Sequence, residues 1–270
     1  MGNNKTDQST KKTKVPVSEI DRAKTSARLA VYDDLKAPPH VMEIKPAATN
    51  TFIENLSSSI YEEASKKGGK VPYTVIREIS ENFIHAGFKE IVVSVLDSGN
   101  TIRFTDQGPG FVDVNNAQLP GFTSATEQMK KYIRGVGSGL PTVKDYLTYS
   151  NGNIKIENNL DKGAVVTISM LENLKDSTAF SDIDKESSNA KYKEKMSKLT
   201  PSLNDREKQV LKLFMTEGPL GVSKIHELSN IPLSSVHKTL QDLEKKTLVE
   251  KTSNKKRILS DQGFAVTNLL

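Results

Sequence analysis

The sequence predicts an α+β protein of two units, a mixed helix-and-strand unit followed by a smaller, mostly helical one. Three observations predict it. Between residues 51 and 170, segments with a three-to-four apolar period alternate with short β-branched runs. Between residues 171 and 200 large apolar residues become sparse, and six basic residues stand with six acidic ones. From residue 201 onward, three helix-length segments lead into a short hairpin.

Residues 1–48 read as a partly disordered extension. The first 14 are mostly Asn, Lys, Thr and Ser. Pro16, Pro38, Pro39 and Pro46 follow, with a short helix expected from Ser18 to Leu35. The first folded unit is expected over 49–170. Thr51 to Lys66 is its first helix, with Asn50 as cap and Phe52, Leu56 and Ile60 on one stripe. Gly68 and Gly69 end it. A second helix carries Val75, Ile76, Ile79, Phe83 and Ile84 on its apolar side. Residues 91–96 read as a buried strand, Asp97 to Asn100 as a turn, and Thr101 to Thr105 as the next strand. Residues 140–147 read as a helix. Residues 154–157 and 163–169 read as two paired strands.

Three motifs in this unit carry chemistry. Glu78 and Asn82 are four residues apart, which puts both on one face of a helix. The amide oxygen of Asn82 suits Mg²⁺, which keeps several waters and takes phosphate oxygens. Glu78 beside it is the candidate general base, with Glu81 as second choice. Asp106 follows a strand directly, in Asp106-Gln-Gly108-Pro-Gly110. A carboxylate there can accept a hydrogen bond from an exocyclic amine, which favours adenine. Gly108 and Gly110 let backbone approach a ring or adopt positive φ. Third comes Arg134-Gly135-Val136-Gly137-Ser138-Gly139-Leu140, glycines opening a helix whose free N–H groups suit phosphates. No strand leads into it and no Gly-Lys-Ser/Thr follows, so it is neither a dinucleotide fingerprint nor a P-loop. The polar stretch from Phe111 to Arg134 reads as a lid, with Lys131 and Arg134 near phosphates. Thr167 is a candidate contact to the same adenine, or a β-branched strand filler.

Taken together, residues 50–170 resemble the GHKL ATPases, the fold shared by gyrase, Hsp90, MutL and histidine kinases. Asp106 to Phe111, Gly121 to Thr126 and Arg134 to Lys144 are most similar to small bacterial anti-sigma and switch-protein serine kinases. Arg77 to Gly87 is also similar to the MutL version. The resemblance implies a two-layer α/β sandwich holding ATP with Mg²⁺. It implies Glu78 as catalytic base, Asn82 as metal ligand and Asp106 as adenine reader. Gly108 and Gly110 would shape the base pocket, Gly135, Gly137 and Gly139 would wrap phosphates, and Thr167 would be the late-strand threonine. Ala164 departs from the pattern, because many members have Thr after that glycine.

The second unit is expected over 201–270, after a linker at 171–200. Asn204 can cap a helix to Thr216. Gly218 to Gly221 breaks it, and a short helix runs from Val222 to Leu228. Residues 229–232 make a tight turn. Leu233 to Lys246 is a third helix, and residues 248–251 and 257–260 form a hairpin. This pattern resembles the winged helix-turn-helix of bacterial MarR-like and IclR-like regulators. The resemblance implies double-stranded DNA as partner. Ser234, Ser235, His237, Lys238 and Gln241 would face base edges, and Lys255, Lys256 and Arg257 of the wing would face phosphates. A wing used only for protein contact or dimerisation is the alternative.

Composition narrows the classes. Without cysteine there is no disulfide, thiolate nucleophile or Cys-based zinc site. No apolar run approaches membrane-spanning length and no signal peptide opens the chain, so no membrane partner and a cytoplasmic location are expected. The net charge of +5 lies outside 51–170, where 12 basic and 13 acidic residues leave −1. Residues 1–50 (9 against 6) and 201–270 (11 against 8) each carry +3. These readings favour an ATP-binding transcriptional regulator acting on DNA, possible as a homodimer. The alternative is a serine/threonine kinase that phosphorylates a partner regulator. An ATP-driven clamp ranks lower because no further domain is visible. A histidine kinase is disfavoured because His40, beside two prolines, reads as loop.

Overall fold

A computed structural model describes residues 20–114, 125–133, 139–170, 201–252, 255–267 and 270. The first unit is a six-stranded sheet covered on one face by three helices. In chain order it contains β1 (Ala27–Val31), β2 (His40–Ile44), α1 (Thr49–Lys66), α2 (Tyr73–Glu81), β3 (Val92–Leu96), β4 (Thr101–Thr105), α3 (Gly139–Tyr149), β5 (Gly152–Asn158) and β6 (Ala164–Met170). The strand order is β2-β1-β3-β4-β6-β5, antiparallel except for β1 beside β3.

Alternation along each strand builds the core. Leu29, Val93, Phe104, Val166 and Ile156 stand side by side across five strands, and so do Val31, Val95, Ile102, Ile168 and Ile154. These two stripes meet Phe52, Leu56 and Ile60 of α1, Ile76 and Ile79 of α2, and Val143 and Leu147 of α3. The opposite face carries Ser94, Arg103, Thr167 and Lys155 in one row.

Several expectations need correction. Residues 20–48 are not an extension. Ala27–Val31 is a strand inside the sheet where a helix was expected, and His40 opens β2 rather than lying in a loop. The first unit therefore begins near residue 20, not 49. Pro38 and Pro39 stop neither strand, because they sit in the connection between them. Helix α1 starts at Thr49 with Ala48 at its cap position, so Asn50 lies inside the helix and does not cap it.

The second unit contains α4 (Asp205–Glu217), α5 (Val222–Ser229), α6 (Leu233–Lys245), β7 (Val249–Lys251), β8 (Arg257–Leu259) and α7 (Asp261–Thr267). Asn204 caps α4 as expected. Its side chain accepts from the Glu207 N–H at 2.9 Å, and Glu207 accepts from the Asn204 N–H at 2.9 Å. Lys246 reaches the same Glu207 carboxylate at 2.7 Å and ties α4 to the end of α6. Asn230, with φ +57°, makes the turn between α5 and α6. Val210, Phe214, Ile225, Val236, Leu240 and Leu243 form the core. Three helices and a two-stranded wing are as expected; α7 was not anticipated. Among the described residues no helix is long and apolar enough to cross a membrane.

Candidate nucleotide site and DNA-facing surface

The first and second motifs meet at the end of α2. After Glu81 the helix tightens into one 3₁₀ turn, Asn82–Ile84, and the chain reverses through Gly87 at φ +62°. A Cβ on Gly108 would stand 2.5 Å from the Cα of Ala86. Only glycine lets the Asp106 loop lie this close to the turn that follows α2.

Asp106 is 8% exposed and held from two sides. Its Oδ1 accepts the N–H of Gly108 at 2.8 Å and the N–H of Ala164 at 3.2 Å. Burial pushes the carboxyl above its ordinary value, and the two N–H donors partly offset this. Gly163, at φ +94°, lets β6 pass beneath, since a Cβ there would lie 2.0 Å from the Asp106 carbonyl oxygen. Gly110 has φ +70°, and its neighbour Phe111 donates its N–H to Asn158 Oδ1 at 2.7 Å. Both sequence-predicted glycines of this loop therefore have a steric reason.

Glu78 is 8% exposed, and a Cβ on Gly139 would stand 2.9 Å from its Oε2. The carboxylate thus lies beside the N-terminus of α3, where free N–H groups and the helix dipole favour anions. Leu140, the next residue of α3, is buried against the core. Asn82 follows one turn beyond Glu78, and its Nδ2 is buried without a hydrogen-bond partner among the described residues. The orphaned group is a donor, so the contact it lacks is an acceptor such as a phosphate oxygen or a water, and it is the amide oxygen that suits a cation. If Mg²⁺ is held here, Asn82 supplies one oxygen and phosphate and water supply the rest. Glu81, the second choice as base, is spent on an ion pair with Arg77 at 2.9 Å.

Thr167 is corrected. It pairs with Arg103 and Lys155 in the sheet and so lies on the face away from the helices, whereas Asp106 continues the parity of Ile102 and Phe104. The late-strand contact to Asp106 is made by Ala164, named in the sequence only as a departure from the family pattern, through its backbone N–H. Its position directly after Gly163 was the available signal. Lys131 is exposed at the end of a 3₁₀ turn, Met129–Lys131, anchored by buried Met129. Arg134, Gly135, Val136, Gly137 and Ser138, and residues 115–124 of the expected lid, lie outside the described residues.

His85 sits in the turn after Asn82. Burial holds its imidazole down to about 4. Both folded and unfolded forms are neutral above the unfolded value near 6.5. As pH falls below that value the unfolded chain binds the proton first, so stability declines until about pH 4 and then levels. The expected loss is about 2–3 kcal/mol, discounted for partial exposure. His85→Gln should flatten this decline in urea unfolding measured between pH 7 and pH 4; an unchanged slope would remove His85 as the cause.

On the second unit, Ser234, His237, Lys238 and Gln241 occupy one outward face of α6, with Ser235 half-buried beside them. Lys255, at φ +60°, and Lys256 are exposed on the wing. Arg257 departs from expectation. Its guanidinium pairs with Glu244 at 2.9 Å, and its backbone bridges to Leu220, so it braces the wing against α6.

Comparison with known proteins agrees with this division. Residues 69–174 match the family model described as histidine kinase-, DNA gyrase B-, and HSP90-like ATPase. Residues 202–260 match the model described as sugar-specific transcriptional regulator TrmB. A DNA mismatch repair protein MutL from Clostridium botulinum strain Kyoto is 43% identical over 56 residues, which is 20% of this chain and 8% of that protein. The chain thus spans under a tenth of that relative. A crystal structure of the DIP2311 protein from Corynebacterium diphtheriae aligns at TM-score 0.46 and 13% identity, over 91% of this chain and 45% of that one. A histidine kinase domain from Erythrobacter litoralis aligns at 0.21 and 13%, over 45% and 60%. The chain joins a domain of the histidine kinase-, gyrase B- and HSP90-like ATPase type to a winged helix of the TrmB transcriptional-regulator type.

Proposed function

We propose that the protein is a transcriptional regulator whose first domain binds Mg-ATP and whose winged helix binds double-stranded DNA, with nucleotide state setting DNA affinity. The observation that carries this is the joining of an ATPase-type and a regulator-type domain in one chain. Two features of the first domain support it: a buried Asp106 with one carboxylate oxygen already bonded to backbone, and Glu78 beside the opening of α3. Asp106 reads the adenine amine, and Asn82 holds the metal. The glycines before α3, with Lys131 and Arg134, take the phosphates. Glu78 draws the proton from an attacking water. The location is cytoplasmic, and a homodimer would place two α6 helices in successive major grooves.

The test is fluorescence anisotropy with labelled double-stranded DNA, titrated over a range of salt, with and without Mg-ATP. Wild type should bind with a salt-dependent affinity that Mg-ATP changes. Lys238→Ala should weaken binding and lower the salt slope by roughly one counterion. No salt-dependent DNA affinity in either nucleotide state would remove the DNA-binding reading. Equal affinity in both states would remove the regulatory one.

A further inference from the structure

Both helices that bear on the nucleotide site also touch the winged helix with their other ends. Helix α2 carries Glu78 near its C-terminal end, with Asn82 just beyond. At its N-terminal end Thr74 Oγ1 meets Met215 Sδ of α4 at 3.4 Å. Tyr73 packs so closely on Gly218 that a Cβ there would stand 2.6 Å from the ring. Thr74, Glu78 and Asn82 recur every four residues, so one face runs from the winged helix to the metal position. Helix α3 repeats the arrangement. It opens at Gly139 beside Glu78, and near its far end Tyr146 packs at a tilt on Phe264 of α7, with ring centroids 5.7 Å apart. A third contact joins the layers where the Tyr61 hydroxyl of α1 donates to the Thr216 carbonyl of α4.

A further observation concerns the strength of this docking. The hydroxyl of Tyr73, the residue that packs on Gly218, is buried without a hydrogen-bond partner among the described residues. Buried polar groups left unsatisfied disfavour the state that buries them. The docked arrangement therefore carries an internal opposition, the property of an interface that a modest ligand effect can shift.

We propose that α2 and α3 act as two struts that couple nucleotide binding to docking of the winged helix. The proposal rests on the nucleotide site described above and names its route of regulation. A helix transmits displacement along its length, since its hydrogen-bonded turns resist compression. A ligand fixing Asn82 and the opening of α3 then repositions Thr74 and Tyr146, and with them α4 and α7. Linkage makes the effect reciprocal, so loosening the docking must change nucleotide affinity although no nucleotide contact is altered.

The absence of cysteine makes the test clean, because labels can be placed at will. Thr51→Cys and Lys245→Cys put spin labels on exposed positions of the two domains. Double electron–electron resonance on the full chain, without nucleotide and with Mg-ATP or its β,γ-imido analogue, should give different distance distributions. Tyr61→Phe with Tyr146→Ala should broaden the nucleotide-free distribution and change ATP affinity by about 5-fold or more in calorimetry. Tyr61→Phe alone, which removes one hydroxyl, serves should the double variant melt early; it should move both readings in the same direction by less. Distances indifferent to nucleotide, or ATP affinity equal in wild type and variants, would overturn the coupling. If ATP binds and distances respond while DNA affinity does not, the coupling stands and the regulatory reading falls. If ATP does not bind at all, both fall.

Discussion

Asp106→Asn should bind ATP about 100-fold more weakly than wild type, while its nucleotide-free form melts no lower. Oδ1 of Asp106 is committed to two backbone N–H groups. The second oxygen is the one available to an exocyclic amine. Asparagine keeps an oxygen for the backbone pair and turns an NH₂ toward the ligand, so donor meets donor. Losing a hydrogen bond to a charged acceptor costs about 1.5–3 kcal/mol, and 2.7 kcal/mol is a factor of about 100 in Kd. Stability should move the other way, if at all. Burial raises the Asp106 carboxyl above its ordinary value, which means the charged form is costly in the folded state at neutral pH. A neutral side chain of the same shape removes that cost. Calorimetric titration with ATP and a thermal melt of the same sample separate the two effects. Wild-type affinity in the variant would mean that adenine is not read by Asp106, and a large drop in melting temperature would mean that the residue is chiefly structural.

How much of this site was legible in the sequence depended on how local its parts are. Glu78, Asn82, Asp106, Gly108 and Gly110 were singled out from neighbours a few residues away, and in the structure Asp106 binds the Gly108 N–H, Gly108 lies against Ala86 and Glu78 lies beside Gly139. Thr167 failed because its role depends on sheet parity. Counting along β6 alone does not say which face holds the ligand, and that is decided by the pairing of Arg103 with Thr167 across β4 and β6. Arg257 looked like a phosphate contact because a basic run in a hairpin tip usually is one. Its partner Glu244 stands 13 residues away on α6, beyond any local pattern. Strands β1 and β2 were hidden differently. Each is five residues long, β2 is mostly exposed, and two prolines separate them, so their context read as tail. Their stability comes from β3, whose pairing with β1 spans some sixty residues of sequence. The winged helix was easier, because its order of cap, helix, turn, helix and hairpin is written in local signals such as Asn204 and Asn230.

Glu78→Gln should retain Mg-ATP affinity within about 3-fold while steady-state ATP turnover falls by about 10²–10⁴, the usual contribution of a positioned general base. The two side chains have nearly the same shape, so the opening of α3 at Gly139 keeps its neighbour. The capacity to take a proton is lost, together with the negative charge beside the N-terminus of α3. The nearby carboxylate cannot substitute, since Glu81 is held by Arg77 at 2.9 Å with both side chains almost fully covered. Freeing Glu81 would leave the Arg77 guanidinium buried without its partner, a cost of several kcal/mol. Turnover is read as phosphate release at saturating ATP, beside a binding titration on the same preparation. Undiminished turnover would move the base elsewhere, and equal loss of affinity and turnover would mean that the carboxylate holds the metal or shapes the pocket. Asn82→Ala supplies the contrast. If Asn82 is the metal ligand proposed, the variant should weaken mainly the Mg²⁺-dependent part of ATP affinity; an equal loss without Mg²⁺ would mean that its Nδ2 donates to the nucleotide directly.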